Sequence, residues 1–210
     1  MLVLLCDSEG KGAREMTFDY TLTADSGVRF GFVPGNEKIV FIKAGLGGDH
    51  LGYENKYLRI ARRLNTVSGV SVICASNPHD SQSHTERDRA IIEEYIARVG
   101  ITSPELYFFG HSNGAVKGLE LALSGLGFKK MLLVNMPLMI NMHKIKRYIS
   151  ALPNTGITLA YGTADASFPY TPFLIGKYAN LKILSVTGAD HNFGGMCEEF
   201  VGLCELLFNG

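Results

Sequence analysis

The stretch Leu106-Tyr107-Phe108-Phe109-Gly110-His111-Ser112-Asn113-Gly114 decides the fold. Its four leading apolar residues read as a buried strand. They run straight into G-x-S-x-G, after which Ala115, Val116, Leu119, Ala122 and Leu123 recur at helical spacing. A chain that turns from strand to helix within a residue or two holds the corner residue, Ser112, in a strained backbone conformation with its hydroxyl exposed. Small residues two before and two after the corner let neighbouring backbone pass close by. The helix that follows directs backbone N–H groups, and the positive end of its dipole, at the same corner. A plainer reading of these residues is a tight turn in which Ser112 only caps the helix.

The rest of the chain repeats the strand-then-helix alternation. Residues 18–22 and 28–33 read as two strands around the turn Asp25-Ser26-Gly27. Further short apolar runs lie at 39–43, 70–74, 106–109, 131–134, 157–161 and 181–186. Apolar throughout and flanked by turn residues, these six read as buried parallel strands. Ser83 and Glu86 suit a capping box, S-x-x-E, opening a helix that carries Ile91, Tyr95 and Val99 on one face and stops at Gly100. Other helices are marked by Tyr57, Ile60, Ala61 and Leu64, by Ile145, Tyr148, Ile149 and Leu152, and by Phe200, Leu203, Cys204 and Leu207. The alternation predicts an α/β fold: a mostly parallel central sheet with an N-terminal antiparallel hairpin and helices on both faces. Reactive groups in such sheets sit at the carboxyl ends of strands.

Composition narrows the function. The 210 residues form one expected domain, 1–210, with Met16 as an alternative start that would leave 1–15 as an N-terminal extension. Lys+Arg and Asp+Glu number 20 each, so formal charge is zero, which argues against a dedicated nucleic-acid binder or a polybasic membrane binder. No apolar run approaches the length of a membrane span, and the opening apolar residues lack a basic leader, so a cytoplasmic protein is expected. Cysteines 6, 74, 197 and 204 form no C-x-x-C pair and read as buried thiols. No G-x-x-x-x-G-K-[ST] accompanies the glycines at 45, 47 and 48, so no nucleotide site is expected; the cysteine spacing fits no zinc site, and neither a metal nor another cofactor is expected.

The elbow in its strand–helix context, with the element order from Phe18 to Phe208, resembles the α/β-hydrolase superfamily, with a minimal lid or none. The resemblance implies a triad in the chain order Ser, acid, His. Only His143 and His191 follow Ser112. His191 stands in the loop after the last strand and before the last helix, where the family carries its base; His143 is expected to start a helix. The acid by the same resemblance is Asp165, after the strand 157–161; Asp190 is a weaker candidate, since neighbouring side chains point apart, and the alternative acid position reads Val134-Asn135-Met136-Pro137 without a carboxylate. The loop Ala44-Gly45-Leu46-Gly47-Gly48 resembles the family's His-Gly-x-Gly loop, with Ala44 where His is common. It implies an oxyanion hole from the backbone N–H groups of Leu46 and Asn113. Asp49 and His50 reach the rim or are solvated. The segment between 135 and 156 leaves no room for a large lid, and Met136, Met139 and Phe168 are expected to line the substrate site. The polar loop Ser76-Asn77-Pro78-His79-Asp80-Ser81-Gln82 reads as a solvated connection or a polar subsite.

These residues imply a serine hydrolase that cleaves a carboxylic ester or related acyl bond of a small molecule through an acyl-enzyme, with no nucleic-acid partner expected and a homodimer left open. A hydrolase-fold protein that binds a ligand without turnover, and a thioesterase or acyltransferase using the same triad, stay open as alternatives.

Overall fold

The computed structural model describes residues 16–79 and 84–209. Eight strands make one sheet: β1 (Tyr20–Thr23), β2 (Arg29–Val33), β3 (Asn36–Lys43), β4 (Val70–Ala75), β5 (Glu105–His111), β6 (Phe128–Val134), β7 (Gly156–Gly162) and β8 (Leu181–Val186). Five helices cover it: α1 (Lys56–Ser68), α2 (Thr85–Val99), α3 (Asn113–Leu123), α4 (Leu138–Ser150) and α5 (Cys197–Gly202). The strands lie in the order β1-β2-β4-β3-β5-β6-β7-β8. β1 and β2 pair antiparallel, β2 meets β4 antiparallel, and every later pair is parallel.

This order contains the feature that positions the site. From β3 the chain moves outward to β4, then returns to lay β5 on the other side of β3. The connections leaving β3 and β5 therefore diverge onto opposite faces of the sheet, and a crevice opens between their carboxyl ends. The glycine loop follows β3 and the Ser112 turn follows β5, so both flank this crevice.

Two apolar layers hold the helices to the sheet. On one face α2, α3 and α4 supply Ile91, Ile92, Tyr95, Leu119, Ile145 and Ile149 against Phe41, Phe108 and Leu133. On the other, α1 and α5 supply Tyr57, Ile60, Leu64, Phe200 and Val201 against Val40, Ile42, Phe109 and Leu132. Alternate residues of β3 and β5 go to opposite layers, so each central strand is apolar at every position. Truncating one such side chain, Phe108 for instance, costs about 3–5 kcal/mol.

The sequence reading needs three adjustments. β8 is an edge strand bonded only to β7, and its residues are half-buried or exposed, so it is not the fully buried strand its apolar letters suggest. β3 begins at Asn36, with a register shift between Asn36 and Ile39 that absorbs the polar start of the strand. His143 lies midway along α4 rather than at its start. The proposed cap Ser83, Cys6 and residues 1–15 lie outside the described residues. Of the other thiols, Cys74 and Cys204 are buried and Cys197 is half-buried beside Arg59. Among the described residues no helix is long and apolar enough to cross a membrane.

Candidate active site

Ser112 occupies the corner between β5 and α3 with φ 54° and ψ −125°, a left-handed conformation that costs a non-glycine residue of order 1–3 kcal/mol. Surrounding bonds hold it there: its own N–H donates to the Val134 carbonyl at 2.8 Å, and its carbonyl accepts from Ala115 N–H at 3.0 Å. Gly114 explains the sequence requirement. A Cβ at that position would stand 2.3 Å from the Ala44 carbonyl oxygen and 2.4 Å from that of Lys43, so only glycine lets α3 start against the glycine loop.

The structure brings Ser112, His191 and Asp165 into one chain of hydrogen bonds. Ser112 Oγ lies 2.8 Å from His191 Nε2, and His191 Nδ1 lies 2.5 Å from Asp165 Oδ2. A carboxylate only accepts, so Nδ1 carries the ring proton and Nε2 is left to accept from the Ser112 hydroxyl. Asp165 is 3% exposed, and its second oxygen accepts from Ser167 N–H at 2.7 Å, which fixes the carboxylate plane. Asp190 points away from this chain. Its Oδ1 accepts the N–H groups of Asn192 and Gly194, and these bonds with its own loop hold its carboxyl below the usual range.

Beneath the ring, the backbone of the His191 loop is pinned by two buried polar residues. His111 Nε2 donates to the His191 carbonyl at 2.8 Å. Asn135 Nδ2 donates to the same carbonyl at 2.9 Å and to that of Asp190 at 3.0 Å, while its Oδ1 accepts from Gly162 N–H at 2.9 Å. Asn135 itself has φ 46°, a conformation that asparagine tolerates better than most residues. His111 is a neutral imidazole. Burial pushes its pKa down to about 3, with the nearby Lys56 charge adding to the effect. Its Nδ1 sits 3.2 Å from the hydroxyl of Tyr57, which burial holds protonated and which therefore donates.

A third buried pin, Asn77, ties the glycine loop down. Its Nδ2 donates to the Ala44 carbonyl at 3.1 Å and to Asn113 Oδ1 at 3.2 Å; its carbonyl accepts from Gly47 N–H at 2.7 Å and its N–H donates to the Gly48 carbonyl. Ser76 Oγ accepts from Arg29 N–H. The start of the loop after β4 is thus buried scaffold, not a solvated connection. Asp49 is engaged by Arg29 and His50, and His50 stacks on Phe18.

A cavity of about 300 Å³ opens in front of Ser112 between the glycine loop, the start of α1 and the His191 loop. Leu46 lies on its wall, half exposed. Met136, Met139 and Phe168 do not line it. Met136 is fully buried under α4, where its carbonyl accepts from Tyr161 Oη; Met139 faces outward, exposed; Phe168 packs on the α2–α4 layer. Only Asn135, Met136 and Pro137 separate β6 from α4, and none of them lines the cavity. Lys56 and Tyr57, absent from the sequence candidates, line the cavity in their place. Among the described residues no three His, Cys, Asp or Glu side chains are grouped to hold a metal ion.

No family model matches the chain, and no curated protein matches it in sequence. Solved structures match its fold. A serine hydrolase homologue from Coxiella burnetii superposes with a TM-score of 0.67 at 15% identity, covering 94% of this chain and 100% of that one. An α/β serine hydrolase without a lid from Xanthomonas campestris gives 0.64 at 16% identity, covering 89% and 90%. The esterase Est1E from Butyrivibrio proteoclasticus gives 0.66 at 14% identity, covering 85% and 92%. The eight-stranded sheet, its antiparallel first strands and its helical layers are those of the α/β-hydrolase fold.

Proposed function

We propose that this α/β-hydrolase-fold chain is a serine hydrolase that cleaves carboxylic esters of small molecules through an acyl-enzyme. The observation that carries the reading is the unbroken relay Ser112 Oγ, His191 Nε2, His191 Nδ1, Asp165 Oδ2, with spacings of 2.8 and 2.5 Å. An isolated serine hydroxyl is a weak nucleophile near neutral pH. Here it faces a ring nitrogen whose lone pair is kept available by the carboxylate on the far side.

The steps follow from these positions. Ser112 Oγ forms a bond to the ester carbonyl carbon while His191 Nε2 takes the hydroxyl proton. The carbonyl π electrons move onto oxygen, where the N–H groups of Leu46 and Asn113 stabilise the oxyanion, each donor being worth about 2.7–4 kcal/mol of barrier. The tetrahedral species collapses: the C–O bond to the alcohol breaks, and the His191 proton goes to the leaving oxygen. Water repeats the sequence on the acyl-Ser112 ester, releasing the acid and restoring the serine. Asp165 holds the ring in place throughout and stabilises the His191 imidazolium formed in each half-reaction. A neutral His111 suits this chemistry, because a second imidazolium against the His191 loop would oppose that charge.

The test is covalent labelling. A fluorophosphonate probe is expected to modify wild-type protein and spare Ser112→Ala, and a panel of 4-nitrophenyl esters is expected to turn over with wild type alone. A folded wild type that neither labels nor turns over any ester defeats the catalytic reading and favours a ligand-binding protein.

A further inference from the structure

Ester cleavage at Ser112 leaves one wall of the cavity without a purpose. Lys56, the first residue of α1, lines that cavity and is only 5% exposed. An ammonium has three donors. Among the described residues the Lys56 Nζ makes one hydrogen bond, a long one to the Asn192 carbonyl at 3.4 Å, and otherwise lies over aromatic rings, 4.3 Å from the Phe200 centroid and 5.6 Å from that of Tyr57. It forms no ion pair among the described residues.

The contrast with Lys43 is informative. That side chain is 1% exposed and fully compensated: its Nζ meets the two Asp88 oxygens at 2.8 and 2.9 Å. The fold therefore pairs a buried ammonium when the ammonium is structural. No carboxylate forms an ion pair with Lys56 among the described residues, and the two nearest by charge or cavity wall have bonds of their own. Asp190 is held by its own loop amides, and Asp49, which also lines the cavity, is bound by Arg29 and His50. The uncompensated charge of the cavity wall is thus positive and belongs to Lys56. An ammonium so placed is costly unless an anion arrives to meet it. Its pKa, pushed down to about 8 by burial against the pull of Cys197 and Asp190, reflects that cost.

We propose that Lys56 is the anchor for a carboxylate on the substrate, so that the esters this protein prefers carry a negative charge beside the scissile bond. The inference rests on the hydrolase reading for the chemistry but not for the binding. The support is that Lys56 lines the cavity in front of Ser112 while its ammonium is met by the Phe200 ring and one long hydrogen bond rather than by a carboxylate.

Two matched ester pairs test it, one for each side of the scissile bond. With charge on the acyl group, the pair is mono-4-nitrophenyl glutarate and 4-nitrophenyl pentanoate; with charge on the leaving group, 4-acetoxybenzoate and its methyl ester. Wild type is expected to prefer the charged member of one pair by roughly 10–100-fold in kcat/KM, the range of a charge-assisted hydrogen bond in a desolvated site. Lys56→Met, which keeps the stem and removes the charge, is expected to bring that ratio close to one; Lys56→Gln serves should the Met variant fail to fold. No preference in either pair, or a Lys56→Met loss of equal size for charged and neutral esters, overturns the proposal. Inertness toward all four esters with no fluorophosphonate labelling defeats the hydrolase reading instead. Calorimetric titration of Ser112→Ala with glutarate then decides the Lys56 inference by itself. Saturable binding weakened at least roughly tenfold by the added Lys56→Met upholds it; absence of binding, or binding that ignores the substitution, refutes it.

Discussion

Acidification probes His111, the buried imidazole under the His191 loop, and its effect follows from the geometry. The group's ordinary pKa is 6.5 and burial brings it down to about 3 in the folded protein. Between those values the unfolded chain holds a proton on this ring and the folded chain does not. Stability therefore rises with pH across that window. The contribution is present above 6.5 and is lost as pH falls toward 3. At about pH 4.5 the ring lies two pH units below its unfolded midpoint, and at about 1.36 kcal/mol per unit the loss is about 3 kcal/mol. The ring is buried, so solvent screening leaves this figure largely intact. His111→Gln removes the titration while keeping a donor able to reach the His191 carbonyl. At about pH 7.5 the variant is expected to be less stable than wild type by about 1–2 kcal/mol, from the lost Tyr57 bond and imperfect fit. At about pH 4.5 the gap is expected to shift by about 3 kcal/mol in the variant's favour, reversing its sign. Urea unfolding followed by circular dichroism at both pH values measures it; groups common to the two proteins cancel in the difference. A gap equal at both pH values, within about 0.5 kcal/mol, would refute the assignment of His111 as a buried neutral ring.

Two further substitutions address the relay. Asp165→Asn is expected to lower kcat by roughly 10⁴-fold with little change in KM, because an amide at this position no longer dictates which His191 nitrogen carries the proton; full activity in an ester assay would show that another group orients the ring. Asn135→Ala is expected to reduce stability by about 2–4 kcal/mol in thermal or chemical unfolding, since it removes three hydrogen bonds and leaves the buried Gly162 N–H without that partner. Its kcat is expected to fall more than its fluorophosphonate labelling amplitude, the pattern of a displaced base rather than a lost nucleophile.

The strands were largely legible because burial on both faces writes itself as unbroken apolar runs, and Ser112, Asp165 and His191 were legible as residues following such runs. What escaped notice were single polar residues whose burial is decided by distant elements converging. Asn135 read only as a missing carboxylate, and Asn77 as part of a polar loop, since neither has a local pattern that marks it as a pin. His111 and Lys56 did carry a signal. His111 continues the two-residue period of Tyr107 and Phe109, and Lys56 lies one helical repeat from Ile60 and two from Leu64, so both occupy inward positions that an apolar residue would normally fill. Met136, Met139 and Phe168 were misplaced for the opposite reason: an apolar cluster states that a surface is covered, not which surface.

The doubly held carbonyl of His191 has a consequence for how water reaches the reacting bond. The backbone there is gripped from below by His111 and Asn135, while the imidazole side chain above it is 44% exposed. Rigidity and hydration are thereby assigned to different atoms of one residue. In the proposed cycle the hydrolytic water arrives directly from bulk solvent at a base that has not moved, and none of the described residues has to move aside to admit it.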